Sequence, residues 1–114
     1  MQYEDLARDY LIERGLELLQ SNYRCRFGEI DLIMLDRDVI CFVEVKFRRS
    51  LAFGGAAGAL SRAKQHRIIK TAQLYVAANR RFGNRALRFD AFLIQQQTNG
   101  TNDFNWIRNA FYAE

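Results

Sequence analysis

Residues 39–47 read Val-Ile-Cys-Phe-Val-Glu-Val-Lys-Phe, and this stretch decides the fold class. It is rich in β-branched and aromatic residues, which is typical of a buried central strand. Successive side chains of a strand point to opposite faces of the sheet. One face therefore carries Ile40, Phe42, Glu44 and Lys46, and the other carries Cys41, Val43, Val45 and Phe47. The stretch predicts a buried strand with two charged groups among its apolar side chains.

The sequence before this strand predicts one helix and two further strands. Apolar residues recur at helical spacing from Tyr3 to Leu19, and Ser21-Asn22 is expected to end that helix. Residues 23–27 alternate in polarity and residues 29–35 form a mostly apolar run, so both predict strands. Between residues 35 and 39, Asp36-Arg37-Asp38 predicts a hairpin turn that pairs the second of these strands with the central one.

The sequence after the central strand predicts a loop, a helix and two strands. Residues 50–60 contain three glycines and predict a loop, and Ser61 is a suitable N-cap for a helix that runs to about Asn79. Residues 86–96 predict a fourth strand and residues 104–108 a short final one. The order α-β-β-β-α-β-β indicates an α/β fold with a mixed central sheet flanked by helices.

Length and charge narrow the class of protein. The 114 residues suit one globular domain, 1–114, and the net charge is +4, from 17 Lys and Arg against 13 Asp and Glu. Clustered arginines favour a polyanion such as nucleic acid, although a basic surface can also serve solubility alone. The absence of a long apolar run or a signal-like start predicts a cytoplasmic protein without membrane contact. Cys25 and Cys41 are expected to be reduced, structural thiols.

Glu44 is the most informative residue of the central strand. An ionised carboxylate in a buried strand is costly unless a partner compensates it. Lys46 shares its face, and the hairpin can bring Asp31 alongside, but two neighbouring carboxylates repel each other. A divalent cation with oxygen ligands, such as Mg²⁺, would remove that cost, and Lys46 could position and deprotonate a water. The alternative is an ordinary Glu44–Lys46 pair, with Asp31 a carboxylate near the turn.

Several stretches resemble known families. Gly28-Glu-Ile-Asp31-Leu-Ile33, followed after twelve residues (32–43) by Glu44-Val-Lys46, resembles the PD-(D/E)XK nuclease signature. Over nearly the whole chain the sequence is similar to the YraN-type family of bacterial proteins, which is related to Holliday-junction resolvases. The stretches that carry this resemblance are Glu4-x-x-Ala7-x-x-Tyr10-Leu11, Gly28–Ile33, Phe42–Arg48, Phe53-Gly-Gly-Ala56, Ala63-Lys64-Gln65 and Arg88-Phe-Asp90.

The resemblance implies a restriction-endonuclease-like fold and roles for individual residues. Asp31 and Glu44 would ligate Mg²⁺ (or Mn²⁺), Lys46 would act on the water, and Glu4 would complete the catalytic set. An acid such as Glu4 also favours a first helical turn without any function. Two positions depart from the pattern, since Ile30 replaces the proline of the motif and Phe47 stands where a small polar residue is common.

The leading interpretation is a metal-dependent nuclease that acts on DNA, including branched or otherwise structured DNA. Five basic or polar residues are expected to bind the nucleic acid: Arg48, Arg49, Lys64, Gln65 and Arg67. The rival interpretation is a nucleic-acid-binding or partner-binding module that keeps the fold without turnover. The sequence does not decide between a monomer and a homodimer.

Two further acids, Glu29 and Asp90, are not expected to be catalytic residues. Glu29 is expected to point away from Asp31 and to serve the surface or the turn. Asp90, in Arg88-Phe-Asp90, is expected to be structural or to assist near the edge of the sheet.

Overall fold

The computed structural model describes residues 3–49 and 60–113, which form two α-helices, a short 3₁₀ helix and five strands. The helices are α1 (Tyr3–Glu13) and α2 (Arg62–Ala78), and the 3₁₀ helix spans Arg80–Phe82. The strands are β1 (Glu17–Cys25), β2 (Gly28–Asp36), β3 (Val39–Arg48), β4 (Ala86–Gln96) and β5 (Asn102–Phe111). The glycine-containing loop predicted at 50–60 lies outside the described residues, except for Leu60.

The five strands form one mixed sheet in the order β1-β2-β3-β4-β5. β1, β2 and β3 are antiparallel neighbours, β4 runs parallel to β3, and β5 is antiparallel to β4. A parallel pair needs a long crossover, and α2 lies on this one, between β3 and β4. The predicted order α-β-β-β-α-β-β and the mixed sheet flanked by helices are therefore confirmed.

Each face of β3 has its own hydrophobic core. Ile40 and Phe42 pack in a cluster with Ile68, Ala72 and Tyr75 of α2. On the other face, Cys41 and Val43 pack in a second cluster, which includes these residues of α1: Ala7 and Leu11. The alternation predicted for residues 39–47 is confirmed, and it explains why almost every residue of this strand is apolar.

The predicted boundary between the first helix and the first strand is wrong. α1 ends at Glu13, and Gly15 turns the chain with a φ of +94°, a conformation that favours glycine. Leu18 pairs with Met34 in the sheet, so it does not continue the helix. Ser21-Asn22 lies inside β1, where Asn22 takes a φ of 51° and the pairing register with β2 is continuous from Gln20 to Cys25. Leu18 and Leu19 fit the spacing of a helix as well as that of a strand, and the pairing of this segment with β2 makes it a strand.

In the C-terminal half, the predicted N-cap of α2 is confirmed, whereas the predicted length of the last strand is too short. Ser61 is the N-cap of α2, since its side chain accepts a hydrogen bond of 3.1 Å from Lys64 N. β5 is longer than predicted, because an irregularity near Asn109 lets the strand continue until Phe111 pairs with Phe89. Within the described ranges, neither helix is long and apolar enough to cross a membrane.

Candidate active site

The β2–β3 hairpin places Asp31 beside Glu44. Backbone pairing runs from Asp36 and Val39, next to the turn, to Leu32 and Val43. Asp31 and Glu44 are the next residues after that last pair. Here the side chain of Asp31 takes the place of a backbone acceptor in the sheet, because the N–H of Val45 donates to its Oδ2 at 2.8 Å. The carboxylate of Asp31 is thus held against the backbone of β3.

Four structural elements meet around a cavity of about 350 Å³ next to these two acids. We call it the acidic cavity. Glu4 comes from α1, Asp31 from β2, Glu44 from β3 and Lys64 from α2. The other lining residues are Gly28, Glu29, Val45, Arg67 and Ile68. Three acids from separate elements therefore face one opening, flanked by two basic residues of α2.

Glu44 is buried and incompletely satisfied. Its side chain is 6% exposed, and its Oε2 lies 3.8 Å from Lys64 Nζ, a long ion pair. Its Oε1 is buried and has no hydrogen-bond partner among the described residues. An unsatisfied buried polar atom costs about 1–3 kcal/mol, and more when it is charged. This oxygen therefore lacks the compensating contact that a buried acceptor requires.

The surroundings of Glu44 disfavour its ionised form. Burial raises the pKa of Glu44 to about 7, the charge of Asp31 adds to the increase, and Lys64 and Lys46 oppose it. Burial also raises the pKa of Asp31, against the hydrogen bond from Val45 and with help from the charge of Glu4. Without a cation, the two carboxylates resist being charged together.

The two lysines near these acids repel each other electrostatically. Burial lowers the pKa of Lys46, and the nearby positive charge of Lys64 lowers it further. Lys64 lines the acidic cavity, whereas Lys46 is absent from its lining and forms no ion pair with Glu44 in the described part of the chain. The ordinary Glu44–Lys46 pair of the alternative interpretation is therefore not formed. The structure instead pairs Glu44 with Lys64 and places Lys46 close enough to Lys64 for their charges to interact.

The prediction that Glu29 points away from Asp31 is wrong. Glu29 lines the cavity together with Asp31, and its charge raises the pKa of Asp31. It also forms an ion pair of 2.8 Å with Arg24. Residues two apart on a strand share a face, so the alternation rule should have placed Glu29 on the side of Asp31. The sequence therefore contains the signal for this placement.

The five residues predicted to bind nucleic acid are placed differently. Lys64 and Arg67 line the acidic cavity. The side chain of Gln65 is engaged elsewhere, since its Nε2 donates to the carbonyl of Leu60 at 2.9 Å. Arg48 donates to the carbonyl of Phe47, and its charge lowers the pKa of Lys46. Arg49 is exposed at the end of β3.

The carboxylate oxygens of the acidic cavity are of the type that binds a hard divalent cation, whose remaining ligands would be water or phosphate oxygens. Among the residues described, no group of three or more His, Cys, Asp and Glu side chains is arranged to hold a metal ion by itself. Mg²⁺ is commonly bound by only one or two protein carboxylates, together with water and substrate phosphate oxygens. Asp31 and Glu44, which line the same cavity, are the two residues that could hold such a cation.

These features define a mixed α/β protein with a carboxylate- and lysine-containing cavity beside its central strand. The profile of the uncharacterised protein family UPF0102 matches residues 3–94. A UPF0102 protein of Nitrosomonas europaea is 51% identical over 108 residues, which cover 95% of this chain and 88% of that protein. A UPF0102 protein of Stutzerimonas stutzeri is 46% identical, with coverage of 95% and 89%. The chain belongs to the UPF0102 family, so the YraN-type resemblance is confirmed.

Proposed function

We propose that this protein is a metal-dependent nuclease that hydrolyses phosphodiester bonds in DNA. The observation that carries the proposal is the buried, unpartnered Oε1 of Glu44 in a cavity that it shares with Asp31. Such a pair is unfavourable as structure, because both pKa values are raised and the charges oppose each other. It is favourable as a cation site, because a divalent ion would satisfy both carboxylates at once.

The chain's own groups would divide the chemistry between them. Asp31 and Glu44 would hold Mg²⁺ or Mn²⁺, which supplies Lewis acidity toward the phosphate when it is bound. The lowered pKa of Lys46 would leave a larger share of its amine unprotonated than in an ordinary lysine, so that this amine could accept a proton from water. The ammonium of Lys64 and the guanidinium of Arg67, both at the cavity, would bind the phosphate oxygens.

DNA is the substrate that the surface charge favours. The net charge of +4 and the basic residues of α2 beside the cavity suit contact with a phosphate backbone. Such contacts orient the nucleic acid and carry little sequence information. Branched DNA belongs among the substrates to be tested because the sequence resembles the relatives of Holliday-junction resolvases.

The second candidate is a module that binds nucleic acid or a protein partner without turnover. The observation that favours it is the arrangement of the acids, since no three His, Cys, Asp or Glu side chains among the described residues are placed to hold a metal ion together. Such a module would still bind through Lys64 and Arg67, but it would not need an ion at Glu44.

A cleavage assay separates the two candidates. Wild type and Glu44→Gln are incubated with linear, flapped and four-way DNA, with Mg²⁺ and with Mn²⁺. The matched control is Glu13→Gln, because Glu13 is exposed at the end of α1. We expect cleavage by wild type and the control, and none by Glu44→Gln, with DNA binding kept in all three. DNA binding by wild type without cleavage of any substrate would favour the binding module.

A further inference from the structure

A second cavity lies at the opposite end of the β2–β3 hairpin from the acidic cavity. It has a volume of about 700 Å³ and is lined by four arginines, Arg14, Arg37, Arg88 and Arg108, together with Asp36 and Asp38. We call it the arginine cavity. Along β3, Val39 of this cavity is five residues from Glu44, which corresponds to about 17 Å. The two cavities have no lining residue in common.

Arg88 forms the fixed base of the arginine cavity. Its side chain is 13% exposed, donates to Asp90 through Nε at 2.9 Å, and forms an ion pair of 3.0 Å with Asp36 through Nη2. Asp90 is fully buried and also accepts from Trp106 Nε1 at 3.0 Å and from Asn109 N at 3.1 Å. Burial opposes the charge of Arg88, but Asp90 outweighs it and raises the pKa of Arg88. The guanidinium is therefore charged and rigidly oriented.

Two further arginines of the cavity are held by aromatic rings instead of by acids. The Arg108 guanidinium carbon lies 4.1 Å from the centre of the Trp106 ring, and that of Arg14 lies 3.4 Å from the centre of the Tyr10 ring. Neither arginine has a carboxylate partner among the described residues. A guanidinium stacked on a ring loses little further freedom when it binds an anion. Arg14 Nη1 donates to the carbonyl of Tyr10 at 3.3 Å, and the other N–H groups of its fork can donate to an anion.

The charges of the arginine cavity do not cancel. Asp36 and Asp90 are both bound to Arg88, and Asp38 is paired with Arg85 at 3.1 Å. The two acids that line the cavity are thus already engaged. Arg14, Arg37 and Arg108 remain as positive groups without an acid in the described part of the chain. An anion with several acceptor oxygens would satisfy these donors together.

We propose that the arginine cavity is a binding site for a phosphate group. Phosphate offers oxygens in the geometry that the forked donors of arginine match. The group could belong to free phosphate or to the backbone of a nucleic acid, and both sources present the same chemistry to the cavity. This site is independent of the nuclease proposal, because it uses none of the residues of the acidic cavity.

The single tryptophan supplies a direct test. The indole N–H signal of Trp106 is followed by NMR while inorganic phosphate is added at constant ionic strength, with chloride as the balancing anion. We expect a saturable shift for wild type and for Arg80→Gln, a control at an exposed arginine outside the cavity. The double variant Arg14→Gln/Arg108→Gln should bind phosphate at least tenfold more weakly. Thermal melting checks that the double variant is folded.

The same titration with a short single-stranded DNA distinguishes the two sources of phosphate. Tighter binding of the DNA than of inorganic phosphate, lost in the double variant, assigns the site to a nucleic-acid backbone. Equal or tighter binding of inorganic phosphate assigns it to the free anion. An equal response of wild type and the double variant, or no response beyond that to chloride, would overturn the proposal. Running the titration in Glu44→Gln as well keeps its outcome separate from any failure of the acidic cavity.

Discussion

The backbone N–H of Val45 donates a hydrogen bond of 2.8 Å to Oδ2 of Asp31. This bond crosses from β3 to β2 where the regular pairing of the hairpin has ended at Leu32 and Val43. It fixes one carboxylate next to Glu44, whose own Oε1 has no partner among the described residues. One acid is therefore anchored by the protein, while the other is left with an oxygen for a ligand.

The contribution of the hydrogen bond from Val45 to stability can be measured by comparing two variants of Asp31 that remove the same charge. Asp31→Asn keeps an oxygen that can accept from Val45 N, whereas Asp31→Ala leaves this N–H without an acceptor. We expect Asp31→Asn to be more stable than Asp31→Ala by about 1 kcal/mol. Urea unfolding in the absence of divalent metal measures the difference. Equal stability of the two variants would show that the bond does not hold the site together.

The stability of the metal-free protein should depend on pH through Glu44. Burial and the charge of Asp31 raise its pKa from 4.5 to about 7 in the folded state. The folded protein then binds this proton more tightly than the unfolded chain does. The resulting stabilisation is fully present below about pH 4.5 and is lost as the pH rises through about 7. We expect a loss of roughly 1–3 kcal/mol in the free energy of unfolding.

The variant Glu44→Gln isolates this effect, because it keeps the shape of the side chain and removes the titrating group. Its free energy of unfolding should change less with pH than that of wild type over the same range, and it should exceed the wild-type value at pH 8. Glu13→Gln, at an exposed position, should follow wild type. A Glu44→Gln curve parallel to the wild-type curve would mean that Glu44 is not strained in the folded protein.

Binding to duplex DNA should depend steeply on salt if α2 contacts the phosphate backbone. Each phosphate contact releases counterions, so Lys64→Ala and Arg67→Ala should each reduce the slope of log K against log salt by about one. Arg48→Ala should also reduce it, since Arg48 lies near Lys46. Gln65→Ala should leave the slope unchanged, because that side chain is uncharged and binds the carbonyl of Leu60. Fluorescence anisotropy over a range of salt concentrations measures these slopes, and equal slopes for all variants would contradict this contact surface.

The sequence predicts the pairing of Asp31 with Glu44 because a short hairpin fixes its own register. Once Asp36 and Val39 flank the turn, each step back along β2 matches one step forward along β3. The end of α1 was not predictable from periodicity, because Leu18 and Leu19 suit a helix as well as a strand. Only their contacts with β2, which are distant in the sequence, select the strand.

The contacts between helices and sheet could not be predicted in the same way. The approach of Lys64 to Lys46 depends on where the first turn of α2 docks, which no local pattern specifies. The arginine cavity likewise combines the end of α1, the hairpin turn and the strands β4 and β5. Its residues are scattered along the sequence, and only the folded chain brings their charges together.

The central claim is that Asp31 and Glu44 hold a divalent cation, and a manganese soak tests it most directly. Crystals of wild type and of Glu44→Gln are soaked in Mn²⁺, and anomalous difference maps are calculated for both. We predict a peak between the two carboxylates in wild type that is absent or strongly reduced in Glu44→Gln. No peak at this position in wild type, or an equal peak in the variant, would contradict the account.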